Sequence, residues 1–232
     1  MKMGLKFSVF LPICLTFMIS CKKWGSGSNS TPAGCISEET TTESSLAAPL
    51  TQPQLDTINT LFAHDNLSTA NQQFWSIVSA SVIPYDSSVF VNEVEILSYR
   101  WYNNLPVFMW NDNYLFYNGI LQPSLIYTGP APGPNTTFRQ SLSSVRAIWL
   151  NNFMKVATYW PIGTRITYPD ASYRDSCLTA QPGYVDAANF NSTIPRQTLL
   201  VKAWQVAPTG GYPMIYIEDS TGAAWPFDVF IP

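Results

Sequence analysis

The strongest constraint on the fold lies between Val94 and Leu121, in the stretch VEILSYRWYNNLPVFMWNDNYLFYNGIL. Aromatic and β-branched residues dominate this stretch and are interrupted at two turn signals, Asn103-Asn104 and Asn118-Gly119. This pattern is typical of antiparallel strands joined by tight turns. We therefore expect a meandering antiparallel sheet with a long central strand from Leu105 to Tyr117.

Two helices are predicted on either side of this sheet. The first begins at Thr51, with a proline in its first turn, and ends near Asn66. The second spans about 142–153, where apolar residues recur at helical spacing. The apolar positions of the two helices are Leu55, Ile58, Leu61, Phe62, Leu142, Val145, Trp149 and Phe153. Further strands are expected at 74–78, 199–206, 212–217 and 223–231.

The N-terminus carries an export signal. Lys2 and Lys6 precede an apolar core, Phe7 to Ile19, that is short for a membrane span. The core ends in Met18-Ile19-Ser20-Cys21, which resembles a bacterial lipobox. The resemblance implies a signal peptide over 1–20 and a lipid on Cys21. An ordinary secretory signal and an uncleaved anchor are the alternatives.

Residues 21–50 predict a flexible tether, because they are rich in Gly, Ser, Thr and Glu and poor in apolar residues. A lipidated Cys21 with several acyl chains would anchor the chain stably to a membrane. Lys22, and not Asp, stands directly after Cys21, so an inner-membrane retention signal of the enterobacterial kind is absent. This favours the outer membrane of a bacterial cell envelope; exposure at the cell surface is left open.

Two cysteines remain once Cys14 leaves with the signal and Cys21 carries the lipid. In an oxidising compartment, Cys35 and Cys177 are expected to form a disulfide. Two free thiols are the alternative. No metal site is predicted.

Charge and histidine content argue against several functions. The net charge is −3, only 12% of residues are charged, and no cluster of Lys and Arg marks a surface for nucleic acid. The single histidine, His64, excludes a two-histidine zinc-protease motif and leaves a Ser-His triad without a positioned base. We predict neither catalytic residues nor a cofactor, and hence a non-enzymatic protein.

The aromatic residues of the central sheet suggest a binding surface. Strand alternation places Phe108, Trp110, Tyr114 and Phe116 on one face, and Arg100 and Trp101 lie on the preceding strand. Rings on an exposed face would bind a glycan or a peptide. In the alternative, the same face packs against the helices as core.

Two stretches resemble known modules. The stretch 99–121 resembles the propeptide domain of fungalysin and thermolysin-type proteases. The matching residues are Tyr102, Leu105, Pro106, Val107, Phe108, Asn118 and Gly119. Arg100 and Asn104 depart from that pattern, which has Gln and Gly there. The second stretch, 199–227, resembles a PepSY module through Lys202-Ala203-Trp204-Gln205-Val206 and Asp219-Ser220-Thr221-Gly222.

The resemblance implies an α+β fold in which helices pack on a curled antiparallel sheet, like cystatin and PepSY domains, as one unit or two repeats. A propeptide-like unit would occupy 51–128. A PepSY-like unit would occupy 135–232, with an irregular insertion at 160–197. Such modules restrain proteases, so the resemblance also implies a regulatory or binding envelope lipoprotein with a peptidase as partner, inhibiting it in trans. The alternative is a surface lipoprotein that binds glycans or peptides through its aromatic face.

The lipid anchor can be tested directly. Mass spectrometry of the mature protein should find an N-terminus at Cys21 that carries diacylglycerol and an N-linked acyl chain. Replacing the acceptor, Cys21→Ala, should leave the signal uncleaved and the lipid absent. An unmodified N-terminus at any other residue contradicts the anchor.

Overall fold

The structure of the protein, a computed structural model, describes residues 35–40, 49–84, 89–159 and 166–230. The predicted signal peptide 1–20, the lipidation site Cys21 and most of the predicted tether 21–50 lie outside the described residues. The described residues belong to one unit, Thr31–Pro232. None of the helices in these ranges is long and apolar enough to cross a membrane.

Strands dominate the described part of the chain, in which two α-helices also occur. The strands are β1 (Ile36–Glu38), β2 (Gln72–Val82), β3 (Val91–Tyr102), β4 (Leu105–Tyr117), β5 (Ile120–Leu121), β6 (Thr158–Tyr159), β7 (Ile166–Thr167), β8 (Leu178–Asp186), β9 (Leu200–Pro208), β10 (Ile215–Glu218), β11 (Ala224–Pro226) and β12 (Val229–Phe230). The helices are α1 (Gln52–His64) and α2 (Leu142–Asn152). Single 3₁₀ turns lie at Phe153–Lys155, Ala171–Asp175 and Ala187–Asn189.

Most of the strands join one mixed sheet of nine strands within the described ranges. Its order is β11-β10-β9-β8-β4-β3-β2, with β1 paired to β8 and β5 paired to β4 beside this path. Most pairs are antiparallel, but β8 runs parallel to both β1 and β4. Strands β12, β6 and β7 form a separate small sheet.

The predicted fold class, helices packed on a curled antiparallel sheet in a cystatin- or PepSY-like unit or two repeats, is wrong. The chain is mostly sheet, and the large sheet is mixed rather than antiparallel. The difference comes from β8, which lies inside the stretch 160–197 that we expected to be irregular. Pro182 and Gly183 interrupt its sequence and resemble a loop signal, yet β8 pairs with β9 along its whole length.

The predicted turns and helix starts are confirmed. Asn103, Asn104, Asn118 and Gly119 all have positive φ, as two-residue hairpin turns require. Helix α1 begins after Thr51, whose backbone N–H donates to the side chain of Gln54 at 2.9 Å.

Each helix packs on a different part of the large sheet. Helix α1 buries Ile58 and Phe62 against residues of β3 and β4. Helix α2 buries Val145 and Trp149, and the 3₁₀ turn that follows it buries Phe153, against β8, β9 and β10. The sheet residues in the first cluster are Val94, Ile96, Tyr114 and Phe116. Because apolar burial supplies most of the folding free energy, the two clusters hold the two parts of the sheet in place.

The structure contains a disulfide between Cys35 and Cys177, with the two Cα atoms 4.5 Å apart. It lies at the start of the parallel pair β1–β8, where the backbone N–H of Leu178 donates to the carbonyl of Cys35 at 2.8 Å. The bridge spans 142 residues of sequence. It therefore fastens β1 to β8 in the middle of the sheet. Because the disulfide closes a long loop, it also strongly reduces the conformational freedom of the unfolded chain.

Because β4 and β8 approach each other closely, position 183 leaves no room for a side chain. A Cβ atom there would lie 2.6 Å from a carbon of the Phe108 ring and 2.7 Å from the carbonyl oxygen of Pro106. We expect Gly183→Ala to lower the free energy of unfolding in urea by about 1–3 kcal/mol, since overpacking forces the neighbours to move. Gly133→Ala is the matched control, because a Cβ at Gly133 meets nothing within 4 Å. Equal stability of the two variants would contradict the close contact.

Candidate binding site at the bulge of strand β4

Strand β4 bends sharply in its first half. Its residues pair with β3 at Trp101↔Pro106 and again at Tyr99↔Asn111, so the segment 107–110 stands opposite Arg100 alone. Within that segment Met109 has a φ of 60°, although it is not a glycine. Val107 pairs with Tyr184 of β8. The bulge, defined as Val107–Trp110, is thus where the pairing of β4 with β3 is interrupted and where β4 pairs with β8 on its other side.

A buried carboxylate, Asp112, holds the bulge together. Its side chain is fully buried. One carboxylate oxygen accepts the indole N–H of Trp110 at 2.8 Å and the backbone N–H of Tyr127 at 2.7 Å. The other oxygen accepts from Arg100 through Nε at 2.9 Å and through Nη2. Both oxygens of Asp112 therefore serve structural hydrogen bonds.

Arg100 completes this network from β3. Only 11% of its side chain is exposed, and its Nη1 donates to the hydroxyl of Tyr102 at 3.2 Å. Burial alone lowers the pKa of Arg100, but the attraction of Asp112 and the hydrogen bonds outweigh it and raise the pKa overall. Arg100 stays charged and also lies 5.6 Å from the centre of the Tyr127 ring, in a cation–π contact.

The hydrogen bonds of Asp112 hold the side chain of Trp110 and the backbone of Tyr127 beside the bulge. The rings of Trp110 and Tyr127 meet edge to face with centroids 5.8 Å apart. Burial raises the pKa of Tyr127 to about 12, so its hydroxyl stays neutral at physiological pH. Rings held in this way need no further ordering when a ligand arrives.

A cleft of about 90 Å³ opens at the bulge. It is lined by Val107, Phe108, Met109, Trp110, Tyr127, Asp186, Asn189, Arg196 and Leu200. Both oxygens of Asp186 are already used, since they accept the backbone N–H groups of Ala188 at 3.1 Å and Gln197 at 2.7 Å. Within the described part of the chain, the side chains of Arg196 and Asn189 have no hydrogen-bond or ion-pair partner. They are the polar groups that the cleft offers to a ligand.

The structure divides the six residues of the predicted aromatic surface. Trp101, Phe108, Tyr114 and Phe116 are at most 8% exposed and belong to the core. Arg100 is held in the network of Asp112, and only Trp110 is half-exposed beside the cleft. The face of Tyr114 and Phe116 therefore packs against α1 and cannot act as an open surface.

The opposite face of β2, β3 and β4 is the one that meets solvent. Its half-buried members include Trp75, Tyr99, Leu97 and Leu115. The rings of Trp75 and Tyr99 are stacked with centroids 5.6 Å apart. An exposed sheet face with aromatic residues is thus present, but Trp75 and Tyr99 form it and not the residues predicted from the sequence.

The sequence analysis missed Tyr127, Asn189 and Arg196. All three lie outside the long strands, and Arg196 follows β4 by about eighty positions. Their own neighbourhoods carry no motif that marks a binding site. Met109 marks the bulge through its positive φ, but a methionine in a strand gives no sign of that conformation in the sequence.

The residues that resemble a PepSY module form a connected structural unit. Asp219 is buried and accepts the indole N–H of Trp204 at 3.4 Å, together with the backbone N–H groups of Arg139 and Gln140 at 2.8 and 2.9 Å. The residues 139 and 140 immediately precede the N-cap of α2, Ser141. Asp219 therefore joins the turn after β10 to the start of α2.

His64 and the possible metal ligands of the described residues form no second site. His64 is exposed, and its ring nitrogen lies 3.3 Å from Asp65. In the ranges that the structure describes, no three residues of His, Cys, Asp or Glu are placed so that they could hold a metal ion. Comparison with family models, with curated proteins and with solved structures gives no match to this chain.

The network of Asp112 predicts a large loss of stability when its charge is removed. Asp112→Asn keeps the size of the side chain but leaves Arg100 as a buried charge without its partner. We expect the free energy of unfolding in urea to fall by about 3–5 kcal/mol, together with a change in tryptophan fluorescence. Asp175→Asn, at an exposed aspartate, is the control and should change stability by less than about 0.5 kcal/mol. A similar small change for both would contradict the role of Asp112.

Proposed function

We propose that this chain is a non-enzymatic, lipid-anchored binding protein of the bacterial envelope, and that the cleft at the bulge is its binding site. The observation that carries the proposal is preorganisation. Asp112 fixes Trp110 through a hydrogen bond of 2.8 Å, and the same cleft offers Arg196 and Asn189, whose side chains have no polar partner among the described residues. Ready aromatic area beside open hydrogen-bond donors is what a small recognition site needs.

The chemistry of the cleft favours a peptide segment as ligand. A volume of about 90 Å³ suits a single side chain rather than a large molecule. Its walls are apolar and aromatic, so an apolar or aromatic side chain would enter it. The guanidinium of Arg196 at the rim would bind a carboxylate of the same segment, in the paired geometry that arginine favours.

Such a ligand fits a protein partner. The resemblance to protease propeptides suggests a more specific version of this proposal, in which the partner is a secreted peptidase and the chain inhibits it in trans. The lipid on Cys21 would hold the complex at the membrane, and the tether 21–50 would let the folded unit reach its partner.

A glycan-binding function is the second candidate, and the stacked rings of Trp75 and Tyr99 favour it. They lie on the solvent-facing side of the sheet, with centroids 5.6 Å apart. Sugar rings pack well on aromatic side chains in such positions. This site is separate from the cleft, so substitutions can distinguish the two candidates.

Arg196 provides the sharpest test of the cleft. We expect an array of short peptides to retain the protein where an aromatic residue neighbours Asp or Glu. Arg196→Ala should raise the dissociation constant for those peptides at least about tenfold, because it removes the group that binds the carboxylate. Arg174→Ala, at another exposed arginine away from the cleft, is the matched control and should bind normally.

Different outcomes separate the proposals. Retention on a glycan array that is lost in Trp75→Ala and kept in Arg196→Ala supports the glycan candidate and contradicts the cleft. Inhibition of a secreted peptidase from the same organism, relieved by Arg196→Ala, supports restraint in trans. If the peptidases remain fully active in the presence of excess protein, that form of the proposal is wrong.

A further inference from the structure

Strand β2 forms one edge of the large sheet and is unusually open to pairing. It pairs with β3 on one side, and no described strand pairs with its other side. Its eleven residues, QQFWSIVSASV, contain no charged residue and no proline. Proteins normally protect such edges with charge, proline or shortness, because free backbone groups there can pair with another chain.

The opposite edge of the same sheet is protected in this usual way. It is formed by β11, which has three residues and ends in Pro226. A proline has no N–H group to offer to a further strand. The two edges of the sheet therefore differ: β11 is protected against further pairing, whereas β2 is not.

The second half of β2 is the accessible part. The segment 78–81 is exposed, with 53% of Val78 open to solvent, and its other members are Ser79, Ala80 and Ser81. Small side chains leave the backbone within reach of an added strand. The segment also lies beyond the bulge between Phe74 and Ser76, so its pairing with β3 is regular.

The charge beside this segment defines the kind of strand that would fit. Glu95 and Glu93 of β3 stand opposite Val78 and Ala80, on the face away from α1. Neither carboxylate has an ion-pair partner among the described residues, although Glu95 accepts a hydrogen bond from Asn113 at 2.8 Å. Neighbouring strands lie about 4.8 Å apart, so a strand added to β2 would be about 10 Å from β3. A lysine on that strand could reach across the small Ala80 to these carboxylates.

We propose that β2 binds an extended segment of a partner protein as an additional strand, and that this segment carries basic residues at alternate positions. The backbone of 78–81 supplies the hydrogen bonds, and Glu93 and Glu95 select the basic side chains. Pairing with a second copy of this chain is less favourable, since it would place the carboxylates of both copies on one sheet face without any cation. The site is distinct from the cleft and does not depend on the function proposed for it.

Synthetic peptides test the proposal on the full chain in a non-ionic detergent. The probe is the acetylated and amidated peptide Lys-Val-Lys-Val-Lys-Val-Lys, and the dissociation constant is measured by calorimetry. We expect the matching peptide with Glu for Lys to bind at least about tenfold more weakly. Ala80→Lys should weaken binding of the basic peptide by a similar factor through like-charge repulsion, whereas Ala80→Glu, the matched variant, should keep or strengthen it.

Methylation of the peptide backbone separates strand pairing from simple charge attraction. Successive N–H groups of a strand point to opposite edges, so N-methylation of the lysines and of the valines should have unequal effects, with one set of methyl groups abolishing binding. Equal binding of both methylated peptides overturns the proposal, as does an equal loss in Ala80→Lys and Ala80→Glu. A concentration-dependent dimer in sedimentation, without peptide binding, also overturns it and assigns the edge to a second copy. Arg196→Ala should leave peptide binding to β2 unchanged.

Discussion

The ion pair between Arg100 and Asp112 is the interaction on which the central part of the structure depends. At the bulge, the regular pairing of β4 with β3 is interrupted, while β4 meets β8 on its other side. Asp112 compensates by accepting from Arg100, from the indole of Trp110 and from the backbone of Tyr127. A buried carboxylate is tolerated only with such complete pairing. The same contacts that make the bend possible also set the walls of the cleft.

Local structure could be predicted from the sequence because its causes are local. Asn103-Asn104 can adopt positive φ at low cost, and Thr51 with Gln54 fixes the start of α1. The sheet as a whole could not be predicted in this way. Its mixed character depends on β8, where Pro182 and Gly183 signal a loop to any local reading. Gly183 is present because the ring of Phe108, distant in sequence, lies against it.

The candidate site shows where strand alternation stops being reliable. Within 111–117 the alternation is correct, since Tyr114 and Phe116 share the buried face with Asp112. Across Met109 it fails, because a residue with positive φ changes the direction of the strand. Phe108 therefore packs in a different cluster, with Ala203 and Tyr216, and not beside Tyr114. Asn189 and Arg196 reach the cleft only through the tertiary fold, which no pattern in their own segment encodes.

The low charge content of the chain gives its few exposed charges more weight. Only 12% of residues are charged, and the buried members Asp112, Asp186 and Asp219 have their oxygens occupied by structural donors. The charges that lie at the two candidate surfaces are a cation at the cleft, Arg196, and two carboxylates near an open sheet edge, Glu93 and Glu95. These two surfaces select segments of opposite charge. A partner could therefore engage one of them without competing for the other, and a partner that carries both kinds of segment would gain from binding both at once.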